Sequence, residues 1–231
     1  MKICHIIACG ACSLTLLLLG FHDLSAADPT PDNPLPNVLI VGDSISLGYT
    51  PSVIKRLRGR ANVYHNPGNA GNSGRCLERL PQWLKQLDKS WDVIHFNCGL
   101  WDLCYRHPES RVQGKRDKVR GTITHPPEEY RRNLARLVEA LQKTKAKLIW
   151  ASTTPVPEDE AGRKVGDDLV YNRIAAEIMQ QQKIPINDLH ALMRPHLKTH
   201  TVAPGNVHFT AAGSEILAKQ VADTITAALQ P

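Results

Sequence analysis

Two side chains far apart in the 231-residue chain have the types needed for acyl-transfer chemistry: Ser44, in Gly42-Asp43-Ser44-Ile45, and His208, in Val207-His208-Phe209-Thr210. A serine hydroxyl is a poor nucleophile at neutral pH and needs a neighbouring base to take its proton. Imidazole titrates close to neutrality, so it can accept that proton and return it to a leaving alkoxide. On spacing alone a plainer reading stands beside this one. Asp43 and Ser44 also suit the cap of a following helix, and His208 suits a residue leading into one.

The elements that would have to bring the pair together are legible as short apolar runs. Val38–Val41, Ala61–Tyr64, Val93–Phe96, Leu148–Ala151 and Ile184–Ile186 are bounded by Gly, Pro or Asn and read as five buried strands. Helical spacing falls between them, over 53–57, 77–87, 130–141 and 169–179, with a last helix capped by Thr210 and carrying Ile216, Leu217, Val221, Ile225 and Leu229. Alternation of strand and helix implies a parallel sheet covered on both faces, a three-layer α/β/α sandwich. Gly42 would permit the sharp turn that presents Ser44 at the carboxyl edge of the first strand, where open α/β sheets hold their ligands. Thr153, after the fourth strand, falls on the same edge, either as a residue lining a site or as part of a rigid strand exit. Trp150 and Tyr171 read as packing, and Asn187-Asp188 as a chain turn.

Composition narrows the function classes. Lys2 followed by an apolar run through Leu16–Leu19 and the small residues Ser25-Ala26-Ala27 read as a secretory signal over 1–27. Residues 28–36 are a proline-rich linker, which leaves 37–231 as one domain, exported to a periplasmic or extracellular setting. Lys and Arg exceed Asp and Glu by 28 to 22, and the excess concentrates in Arg106–Arg120. That stretch reads as a solvated loop or an anion-binding surface, and 104–126 as a basic flap over the strand ends. No aromatic residues interleave with the charges, so nucleic-acid binding is not indicated. Cys76, Cys98 and Cys104 follow the signal; Cys98 reads as buried, and Cys76 and Cys104 are expected to form a disulfide. Scattered histidines and unpaired cysteine spacing give no metal centre and no cofactor.

Four short blocks at successive strand ends give the chain a resemblance to the SGNH hydrolases, the GDSL esterase and lipase family. They are Gly42-Asp43-Ser44-Ile45, Gly71 in Asn69-Ala70-Gly71-Asn72-Ser73, Gly99-Leu100-Trp101-Asp102, and Val207-His208-Phe209-Thr210. The resemblance implies a flavodoxin-like SGNH hydrolase fold with a five-stranded parallel sheet. It also implies Ser44 as nucleophile, His208 as base, and the backbone N–H groups of Ser44 and Gly71 as oxyanion donors. Asp43, Asn72, Gly99, Trp101, Asp102 and Thr153 are the further residues placed at the site.

Two positions depart from the family pattern. Trp101 stands where the family has an asparagine that donates to the oxyanion. It serves as a hydrophobic wall, as packing, or through its indole N–H; Asn97 and Asn72 are the nearby amides that could fill the gap. Gly205 stands where the family has the aspartate that orients the histidine. A backbone carbonyl or a carboxylate from elsewhere, Asp102 being the nearest in motif, is then needed, while Asp43 is expected to cap the helix or brace the loop. The implied activity is hydrolysis of short acyl esters, acetyl among them, on a carbohydrate or other small molecule, with no stable membrane insertion after processing. The alternative is a catalytically weakened protein of the same fold that binds a glycan or an anionic polymer.

Overall fold

The computed structural model describes residues 34–88 and 90–230; the expected signal and most of the expected linker lie outside the described residues. Five strands make the central sheet; the helices expected after the first four are present, the first starting at Ser44 rather than Val53, while the short helices after the fifth strand are not among those expected. β1 (Asn37–Val41) leads into α1 (Ser44–Leu57), β2 (Asn62–His65) into α2 (Ser73–Leu84), and β3 (Val93–Phe96) into a long connection. That connection carries the two-residue strands β4 (Tyr105–Arg106) and β5 (Thr122–Ile123), and ends at α3 (Pro127–Gln142). β6 (Lys147–Ala151), α4 (Asp167–Gln181), β7 (Ile186–Asn187), the short helices α5 (Leu189–Met193) and α6 (Leu197–His200), and the long α7 (Ala211–Leu229) complete the chain.

The main sheet has the order β2-β1-β3-β6-β7 with every pair parallel. α1 packs on α7, while α2 packs on α3 and α3 on α4. Helices on both faces follow from a strand order that grows in both directions from β1, because right-handed crossovers then place successive helices on opposite sides. Val38, Leu39 and Ile40 are fully buried between those layers, which explains why β1 is apolar without alternation. The strand order reverses between β1 and β3, and a crevice opens at their carboxyl ends.

Three expectations need correction. α2 starts at Ser73, with Asn72 as its N-cap, rather than at Leu77. Cys76 is therefore turned inward in the first helical turn. The expected Cys76–Cys104 disulfide is not formed: all three cysteines are free and buried, Cys76 meeting Cys98 and Cys104 facing the Tyr105 carbonyl. The basic stretch is also better fixed than a solvated loop. Tyr105 N–H donates to Gly162 O at 2.6 Å and Lys118 N–H to Ala161 O at 2.8 Å, which ties it to the loop after β6. The approach is close enough that a Cβ at Gly162 would come within 2.6 Å of the Arg116 side chain.

Candidate active site

Ser44 is the first residue of α1, held at the end of β1 by a helix cap. Asp43 Oδ1 accepts the Ile45 N–H at 2.9 Å, and the Asp43 carbonyl accepts from the Ser46 hydroxyl at 2.7 Å. Burial raises the Asp43 carboxyl above the ordinary carboxylate range, with the Ile45 N–H and Arg163 opposing that shift. Asp43 thus does what a capping residue does; it builds the turn on which Ser44 stands.

His208 reaches the same point from the other end of the chain. Its Nε2 lies 2.9 Å from Ser44 Oγ. Asn206 orients the ring: its Oδ1 accepts the His208 backbone N–H at 2.9 Å and faces His208 Nδ1 at 2.8 Å. A backbone N–H can only donate, so that Asn206 atom is the carbonyl oxygen, and Nδ1 must carry the imidazole proton. The lone pair of Nε2 is then directed at the serine. Burial, followed by the charges of Arg163 and Arg116, holds the His208 pKa below its ordinary value.

The turn preceding the histidine explains the missing acid. Ala203-Pro204-Gly205-Asn206 closes with Asn206 N–H on Ala203 O at 3.1 Å, and Gly205 adopts φ +68°. This is the type II pattern, proline second and glycine third. A Cβ at Gly205 would approach the Asp159 carbonyl oxygen to 2.5 Å. Sequence reasoning missed Asn206, although a Pro-Gly-Asn turn two residues before a histidine is a readable signal for an Asx contact.

Asp102 does not approach His208. It is fully buried and receives the Ser73 N–H at 3.0 Å, the Ser73 hydroxyl, and His125 Nδ1 at 2.7 Å. That hydrogen bond is the leading cause that raises His125 above the usual imidazole pKa. The cluster ties the loop after β3 to the starts of α2 and α3. Gly99 is needed for packing, since a Cβ there would meet Thr153 Oγ1 at 2.2 Å. Thr153 in turn accepts from Asn97, whose amide also donates to Ala151 O at 2.7 Å. Asn72 is engaged as the α2 cap, accepting the Arg75 N–H at 2.9 Å. Asn97 and Asn72 are thus committed to the scaffold.

The cavity at Ser44 and His208 has a volume of about 300 Å³ and is walled by Leu100, Trp101, Asn69 and Val207 together with Arg106, Arg116 and Arg163. Trp101 is half-buried with the Arg106 guanidinium 4.9 Å from its ring centroid, a wall rather than core packing. Asn69 Oδ1 accepts the Gly71 N–H at 2.8 Å, so that donor is engaged within its own loop. Ser44 N–H occupies the first turn of α1, where no intrahelical acceptor exists. Asp43, Asn72, Gly99, Asp102 and Thr153 do not line this cavity. Among the described residues, no three His, Cys, Asp or Glu side chains converge as a metal site would require.

Residues 40–216 match the GDSL-like Lipase/Acylhydrolase family. The chain belongs to that family. Solved structures agree in fold: an acetyl xylan esterase, AlAXEase, superimposes with TM-score 0.63 at 18% identity over 82% of this chain and 99% of its own. A lipase/acylhydrolase from Enterococcus faecalis gives 0.65 at 18% identity, covering 85% and 98%. A GDSL-like lipase from Bacteroides thetaiotaomicron gives 0.60 at 17% identity, covering 84% and 89%. No curated protein matches the chain in sequence. The family is one of esterases and acylhydrolases.

Proposed function

We propose that this family member is an exported serine esterase that removes short acyl groups, acetyl among them, from a small alcohol or carbohydrate. The observation that carries the reading is the 2.9 Å approach of His208 Nε2 to Ser44 Oγ, with the ring tautomer set by Asn206. In this reading Ser44 Oγ attacks the ester carbonyl while its proton passes to His208 Nε2. The tetrahedral intermediate collapses, His208 returns that proton to the departing alkoxide, and the acyl group stays on Ser44. Water then gives a proton to Nε2 and its oxygen to the acyl carbon; collapse releases the acid and restores the serine hydroxyl.

The developing oxyanion is placed beside the first turn of α1, where the Ser44 N–H and the positive end of the helix dipole favour negative charge. Gly71 N–H joins it once the substrate oxygen replaces Asn69 Oδ1, and the Asn69 amide group stands at the same wall. The acetyl preference draws support from the cavity's modest volume and from the acetyl xylan esterase of the same fold. Retention of a hydrogen-bonded serine and histidine favours turnover over a scaffold that only binds a glycan or anionic polymer. Export draws support from the charged and apolar amino-terminal segment, and a secreted product beginning at Asp28 would be its signature on intact-mass measurement.

Purified protein should release nitrophenol from 4-nitrophenyl acetate and take a fluorophosphonate label on Ser44, and Ser44→Ala should lose both. A folded protein with neither turnover nor label would end the esterase reading.

A further inference from the structure

Three guanidinium groups, those of Arg106, Arg116 and Arg163, line the cavity that contains Ser44 and His208. They arrive from two separate segments. Arg106 lies on β4 and Arg116 follows it in the basic stretch, paired with Arg106 across a β-bridge; Arg163 comes from the loop between β6 and α4. Among the described residues, a single carboxylate bridges two of them. Glu160, fully buried, accepts from Arg116 Nη1 at 2.6 Å and Arg163 Nη1 at 2.9 Å. Among the described residues Arg106 pairs with no acid: its Nη1 donates to the Gly114 carbonyl and its guanidinium lies over the Trp101 ring. Among the described residues the three guanidiniums thus have one carboxylate in direct contact. Asp43, buried beside Ser44, attracts Arg163 without a hydrogen bond to it, and Asp102 is taken by Ser73 and His125, so the positive charge at the cavity wall exceeds the negative charge paired with it.

Arg163 is the most informative of the three. Only 4% of its surface is exposed, and its Nε donates to Leu100 O at 2.6 Å while Nη1 holds Glu160. Among the described residues Nη2 has no hydrogen-bond partner, yet Arg163 lines the cavity. A guanidinium that is taken out of water with donors unspent costs stability unless an acceptor meets them. Its planar fork matches the two oxygens of a carboxylate. Leu100 O and Glu160 hold Nε and Nη1 and so fix the guanidinium plane, leaving the Nη2 donors for a ligand in the cavity.

We propose that the substrate of this site carries an anionic group, a carboxylate, close to the ester that is cleaved, and that Arg106, Arg116 and Arg163 bind it. The inference deepens the esterase reading and rests on it for turnover, but not for binding. The carboxylate lies on the guanidinium side of the cavity while the ester carbonyl meets Ser44, with Trp101 packing on the skeleton that joins them. Acetylated acidic sugars have this chemistry: an ester and a fixed carboxylate a few bonds apart.

The test compares O-acetylated glucuronic acid with the O-acetylated primary amide of the same sugar, which keeps the skeleton and removes the charge. Calorimetry on the Ser44→Ala protein at low salt should find the acid bound at least about tenfold more tightly, the scale expected for a charge-assisted fork. The wild-type protein should show a preference of similar size in kcat/KM for acetate release. Arg106→Gln and Arg116→Gln should each reduce the ratio several-fold, and Arg106→Lys should restore only part of it; thermal melts verify that each variant is folded. Equal affinity for acid and amide, or no binding of either, overturns the proposal. Preferential binding of the acid without any turnover by the wild type would retain the anion site and reject the esterase reading, so the two failures are distinguishable.

Discussion

Asn206 Oδ1 accepts two hydrogens from the same residue, the backbone N–H of His208 at 2.9 Å and its ring Nδ1–H at 2.8 Å. One neutral oxygen thereby fixes both the ring's angle and its tautomer, work that a carboxylate does elsewhere in serine hydrolases. What it cannot supply is negative charge to steady the imidazolium that forms when Ser44 is deprotonated. Asn206 is accordingly a positioning residue. Asn206→Ala should lower kcat by about 100-fold, within the range for an oriented general base, with KM little changed. Asn206→Asp should retain the geometry, add the missing charge and move the acid limb of the kcat/KM profile to higher pH. Steady-state rates across pH on a neutral nitrophenyl ester would test both, and an Asn206→Asp limb at or below that of the wild type would count against this role.

Restoring the family's acid at its usual position should fail. Gly205 has φ +68°, and a Cβ there would stand 2.5 Å from the Asp159 carbonyl oxygen. Gly205→Asp should cost about 1–3 kcal/mol of stability from backbone strain alone and should not raise kcat. Chemical denaturation read beside activity would show it; a variant of unchanged stability with increased turnover would mean that the turn can be rebuilt.

Much of the fold was legible because the strands of a buried parallel sheet are apolar along their whole length, as Val38–Val41 and Val93–Phe96 are, and because each is followed by helical spacing. Ser44 and His208 were legible for a related reason: both flank strongly patterned elements. The orienting residue escaped a reading built on periodicity because Asn206 belongs to a turn, whose only signal is the local Pro-Gly-Asn pattern. Asp102 misled for the opposite reason. Its place in a motif suggested the site, but the helix start at Ser73 and the distant His125 claim its oxygens. The role of the basic stretch was hidden because Arg163, its partner at the cavity, lies over 40 residues further along the chain and meets it only through Glu160.

The acid limb of activity should lie below the ordinary imidazole pKa of about 6.5. Neutral His208 is the base in the proposed reaction, and burial together with the charges of Arg163 and Arg116 disfavours its protonated form. Activity on a neutral ester should therefore persist to lower pH than an unperturbed histidine allows. Arg116→Gln removes one of those charges and should shift the limb upward. A wild-type limb above 6.5, or one indifferent to Arg116, would contradict the electrostatic assignment.

Stability should carry a separate histidine signature away from the site. His95, on β3, is fully buried with the Tyr49 ring edge-on at 6.5 Å. Gln220 donates to Asn187 Oδ1 at 2.8 Å, which leaves the Asn187 amide nitrogen to donate to His95 Nε2 at 3.0 Å. His95 is thus held neutral, and burial pushes its pKa down to about 4. The unfolded chain, with an ordinary histidine pKa of about 6.5, binds the proton first as pH falls. The stabilisation is fully present above about pH 6.5 and is lost progressively toward pH 4, a loss on the order of 3 kcal/mol by linkage. His95→Gln keeps an acceptor for Asn187 but has no proton to gain, so its unfolding free energy should fall less steeply through this window. Denaturation at a series of pH values provides the comparison, and parallel curves for the two proteins would refute the assignment of this pH dependence to His95.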